Sequence, residues 1–62
     1  MCLSAVYLEL PDEKKLVMER VAHLRVLAEG IELEDLLGRT ELVPGAHIAS
    51  VDLMENVIYC RK

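Results

Sequence analysis

The chain has 62 residues, enough for one domain spanning 1–62, and a chain this short buries only ~60% of its unfolded surface unless a metal, a disulfide or a partner subunit supplements its core. Its formal charge of −4, with seven Lys and Arg mostly scattered, argues against sequence-independent nucleic-acid binding, which depends on clustered cations that displace counterions. No apolar run approaches the ~18 residues needed to span a bilayer and no signal-peptide pattern opens the chain, so a cytoplasmic location without membrane attachment is expected.

Met1-Cys2-Leu3-Ser4 begins the sequence and puts a thiol one residue from the α-amine. Residues 2–10 read as a strand, with Leu3, Ala5, Tyr7 and Glu9 on one parity and Cys2, Ser4, Val6, Leu8 and Leu10 on the other. The imperfect alternation predicts partial burial of both faces. Pro11-Asp12-Glu13-Lys14 supplies turn chemistry, and a hairpin follows.

Residues 15–29 fit two readings. Val17, Val21, Leu24 and Ala28 recur at helical spacing, between Asp12 as a candidate N-cap and Gly30 as a candidate C′ residue. The alternative is a short strand containing Leu16 and Met18, then a second over residues 21–28. It is supported by the β-branched Val17, Val21 and Val26 and by the lack of a wholly polar face.

Ile31-Glu32-Leu33-Glu34 alternates strictly between apolar and acidic, as a half-buried strand does. Asp35-Leu36-Leu37-Gly38-Arg39 ends it in a turn or bulge. Thr40, Leu42 and the edge-tolerant Pro44 form a further short strand, closed by Pro44-Gly45. Residues 47–53 make the next, Met54-Glu55-Asn56 turns the chain, and residues 57–61 close it as a last strand. Short strands at this spacing predict an all-β fold, a small antiparallel β-barrel.

The chemistry of the first two residues is that of a chelate. With Met1 retained, the α-amine, the deprotonated Cys2 amide nitrogen and the Cys2 thiolate close two fused five-membered rings. With Met1 removed, Cys2 supplies amine and thiolate alone. Either set is a strong-field nitrogen and sulfur site that suits square-planar Ni(II) or Cu(II) better than tetrahedral Zn(II). One chain supplies too few donors to fill it, and a second copy would complete it by two-fold symmetry. The competing reading makes Cys2 a small residue that starts a strand.

The other candidates are ordinary by comparison. His23 and His47 are far apart in sequence and belong to no metal-site spacing. Glu32, Glu34 and Asp35 are explained by a solvated strand face. Cys60 reads as a core position, and in a reducing compartment both cysteines are expected as thiols. With no Ser/His/Asp arrangement, Gly-rich phosphate loop or Cys-x-x-Cys, the chain is not expected to be an enzyme.

Taken in order, Met1-Cys2 leading into Val6-Tyr7-Leu8, Leu16-Val17-Met18-Glu19 with Val21, Asp35-Leu36-Leu37-Gly38, and Val51-Asp52-Leu53 followed by Ile58 resemble the CooT-type family of small nickel-binding proteins, also labelled predicted RNA-binding proteins. The resemblance implies an SH3-like barrel, a homodimer, strands rather than a helix over residues 15–29, and Ni(II) held near the dimer axis by Cys2 and the nitrogen donors of Met1. It further implies accessory work in supplying nickel to an enzyme such as carbon monoxide dehydrogenase. The alternative function is an RNA-binding or protein-interaction barrel, for which only Tyr7 and Tyr59 could stack on bases.

Overall fold

The computed structural model describes residues 3–62. Among the described residues there are six strands and no helix: β1 (Ser4–Glu9), β2 (Lys14–Leu27), β3 (Gly30–Asp35), β4 (Thr40–Pro44), β5 (His47–Asp52) and β6 (Val57–Arg61). All six belong to one sheet in the order β4-β3-β2-β1-β6-β5. Among the described residues no helix is long and apolar enough to cross a membrane.

The ambiguous segment is a strand. β2 runs through 14 residues without the break that its sequence suggested, pairing with β1 through its first half and β3 through its second. Val21 is paired on both sides, with Ser4 and with Asp35. Next to it Arg20 adopts φ of 57°, a left-handed conformation that is uncommon outside glycine and that bends the strand between its two partners. The helical periodicity loses because β1 pairs with the first half of the segment and β3 with the second, and of the four periodic residues only Val21 is buried.

Two features of the expected antiparallel barrel are corrected. β1 and β6 are parallel, from Ala5 opposite Val57 to Leu8 opposite Cys60. The sheet is also not closed, because β4 and β5 are its edges and do not pair with each other. The burial of β5 supplies the physical reason. Closure would turn alternate residues of every strand inward, yet none of the six residues of β5 is buried. Turn spacing predicts how many strands there are, and not whether the outer two meet.

Val6 and Leu8 of β1, Val21 of β2, Ile31 and Leu33 of β3, Val43 of β4, Ala46 of the turn before β5, and Cys60 of β6 form one aliphatic core. The strict alternation of β3 places Ile31 and Leu33 inward and leaves Glu32 and Glu34 half-buried on the other face. β1 is partly buried on both faces, as its imperfect pattern predicts. Its second face carries Tyr7 beside Tyr59, with ring centroids 5.9 Å apart and Lys14 Nζ 4.6 Å from the centre of the Tyr59 ring.

Candidate metal centre

Met1 and Cys2, the expected metal-holding residues, lie outside the described residues, so the surroundings of the centre are built from Leu3 and Ser4. Ser4 opposite Val21, and Val21 opposite Asp35, place the start of β1 level with the end of β3. Two turns reach the same end of the sheet. Leu36 N donates to Arg20 O at 3.0 Å, and Ala5 N donates to Asn56 O at 3.0 Å. These turns carry Leu36, Leu37, Leu53 and Met54, which are 56%, 75%, 82% and 91% exposed and therefore form an apolar rim rather than part of the core.

A groove beside the start of β1 is lined by Leu3 and Ser4 together with His23, Glu34, Asp35 and Leu37. No Lys or Arg lines it directly, but both of its carboxylates are already paired with guanidinium groups, Glu34 with Arg25 and Asp35 with Arg39. His23 stands opposite Glu34 in the β2/β3 pairing. Glu34 Oε1 accepts a hydrogen bond from Arg25 Nη2 at 2.8 Å, and Glu32 Oε1 accepts one from Arg25 Nη1 at 3.3 Å. Glu32 and Glu34 thus lie on the outer face of the sheet, as expected, but half-buried and both paired with Arg25.

Asp35 does not belong to that face, contrary to the sequence reading. It is 7% exposed and continues the inward parity of Ile31 and Leu33. Its Oδ1 accepts from Leu37 N and Arg39 N, each at 2.9 Å, while Oδ2 accepts from Arg39 Nε at 2.8 Å. The carboxylate therefore clamps the turn that presents Leu36 and Leu37. An Asp bonding to backbone two residues ahead, with Gly38 completing the turn, was the available sequence signal.

Burial by itself would raise the Asp35 carboxyl, but the hydrogen bonds from Arg39 and Leu37 and the charge of Arg39 outweigh it and hold the group below the usual carboxylate range. A carboxyl depressed in the folded state contributes stability that is present above its unfolded value of ~3.9 and is lost as pH falls through the folded value. Asp35→Asn is accordingly expected to unfold at a lower temperature than the unmodified chain at pH 7, with the gap narrowing at pH 3. Thermal unfolding at both pH values measures this; a gap independent of pH would show that the charge of Asp35 is not what holds the turn.

The structure does not bring His47 to this region. It begins β5, opposite Arg61, while the neighbouring Glu9 at the far end of β1 accepts a 2.8 Å hydrogen bond from Arg61 Nε. Cys60 is a free thiol buried in the core, and burial pushes its pKa up, so it is a poor ligand for an incoming metal. Among the described residues no three His, Cys, Asp or Glu side chains converge to hold a metal.

These features define a small all-β protein in which an apolar rim and a groove flank the start of the first strand. A family model described as CO dehydrogenase accessory protein CooT matches residues 1–61. The chain belongs to the CooT family, a family of accessory rather than catalytic proteins. The fold agrees: a crystal structure of a protein proposed to be CooT, from Carboxydothermus hydrogenoformans, superposes with a TM-score of 0.88 at 26% identity, covering 98% of this chain and 97% of that one. No curated protein matches the sequence.

Proposed function

We propose that this protein is a nickel-binding accessory protein that acts as a homodimer and hands Ni(II) to a nickel enzyme of the carbon monoxide dehydrogenase type during its maturation. The observation that carries the reading is a family match that takes in Met1 and Cys2, the one pair of residues in the chain with strong-field chelating chemistry.

Nickel is cargo here. The Met1 amine and the Cys2 nitrogen and sulfur are the donors of each chain, and a second copy supplies the rest. Because the donors sit at a chain terminus, an acceptor can displace them one at a time, which suits transfer. The exposed Leu36, Leu37, Leu53 and Met54 at the same end support pairing of two copies there, since burying them would remove apolar surface from water just where the second set of donors is needed.

The test is a Ni(II) titration of the reduced, metal-free protein, followed by thiolate-to-nickel absorption and native mass spectrometry, with sedimentation run in parallel. Saturation at one nickel per two chains and a dimer that tightens with nickel are expected, because a ligand that binds only the dimer stabilises it in proportion to the logarithm of its free concentration over Kd. Saturation at one nickel per chain without change in association would place the site within a single chain and refute the shared centre.

A further inference from the structure

We propose that the free edge of β5 is a self-association surface, on which β5 of a second copy of this chain pairs antiparallel and joins the two six-stranded sheets into one without any metal. The two edges of the sheet differ. β4 carries Pro44, which has no N–H to offer, and Glu41, which stands opposite inward-facing Leu33 and so puts a charge on the inner face. Both are devices that keep a further strand from adding to an edge. β5 has no Pro, Lys, Arg or Glu, and its outer backbone groups have no strand beside them.

The side chains of β5 fit a second copy. Ile48 stands opposite buried Cys60, and Val51 opposite Ile58, which packs against the core, so both point to the inner face although they are 39% and 49% exposed. Residues three apart in a regular strand would point to opposite faces; the bulge at Ala49, which has no residue opposite it on β6, brings these two onto one. A two-fold axis between Ala49 and Ser50 then sets Ile48 of each copy against Val51 of the other, and His47 against Asp52. The charges agree with that direction. β5 begins beside Arg61 and ends at Asp52, with Glu55 in the turn that follows, so an antiparallel partner lays the basic end of each edge on the acidic end of the other. A parallel, in-register partner would set like against like. Because Asp52, Val57 and Ala5 are level, the first strands of the two copies start at opposite ends of the joined sheet, which makes this surface separate from the nickel centre proposed above. The contact is one strand edge, so the association it supports is weak and concentration-dependent.

Sedimentation and amide NMR spectra of the reduced chain, kept metal-free by a chelator and compared over a wide range of concentrations, test the surface. A monomer–dimer equilibrium is expected, with concentration-dependent amide shifts at residues 47–52 and none along β4. Val51→Lys, at a half-exposed position, is expected to keep the fold and, because symmetry counts the change twice, to weaken association ~10-fold. His47→Asp sets a carboxylate against Asp52 at both ends and should weaken it as well. Mixing that variant with Asp52→Lys restores opposite charges at both ends, so the two should associate with each other more tightly than either does with itself, with folding of each checked by circular dichroism. A chain that stays monomeric at every concentration, association that Val51→Lys leaves unchanged, or mixed variants that gain nothing, overturns the proposal. Because no nickel is present, these outcomes are independent of the shared nickel centre.

Discussion

Gly30→Ala is expected to abolish the native fold. Gly30 is buried at the turn from β2 into β3, with φ of 150°, a region closed to side chains. A Cβ there would collide with Val43 O and lie 2.9 Å from Pro44 Cα, both backbone atoms of β4 that no rotamer change can move. The dihedral strain costs ~1–3 kcal/mol. The collision adds the cost of displacing β4, which carries core residue Val43. Against this, a chain of 62 residues has a total stability of roughly 3–9 kcal/mol.

Gly38→Ala separates the two causes. Gly38 also has positive φ, of 86°, but nothing lies within 4 Å of its missing Cβ. That variant should stay folded and melt at a lower temperature, whereas Gly30→Ala should lack the β-sheet circular dichroism of the intact chain. Similar melting of both would mean that backbone strain, and not the approach of β4, sets the requirement for glycine.

Cys2→Ser is expected to remove tight nickel binding altogether, because it exchanges the soft thiolate for a hydroxyl that neither ionises near neutral pH nor bonds Ni(II) strongly. Only the amine and amide nitrogens would remain, a weak set. The contrast is with the other cysteine. Cys60 is fully buried among aliphatic side chains, so removing its thiol should leave nickel binding intact. The replacement matters: a serine hydroxyl at that position is left without a partner at a cost of ~1–3 kcal/mol, while Cys60→Val keeps the site apolar. Isothermal titration of both variants, with folding checked by circular dichroism, reads the outcome. Equal loss of affinity from Cys2→Ser and Cys60→Val would refute the N-terminal centre.

What the sequence determined by itself is local in origin. The alternation of Ile31-Glu32-Leu33-Glu34, the turn residues Gly38, Pro44-Gly45 and Asn56, and the closing run 57–61 place β3 to β6 nearly as they occur, because period and turn chemistry are written in neighbouring residues. The ordered motifs from Met1-Cys2 to Ile58 likewise sufficed for the family. Tertiary structure alone decided the rest. Residues 15–29 became a strand because two neighbours claim its backbone, and β1 and β6 became parallel partners although they stand at opposite ends of the sequence. The open sheet and the inward turn of Asp35 depend on long-range register, which no local pattern encodes.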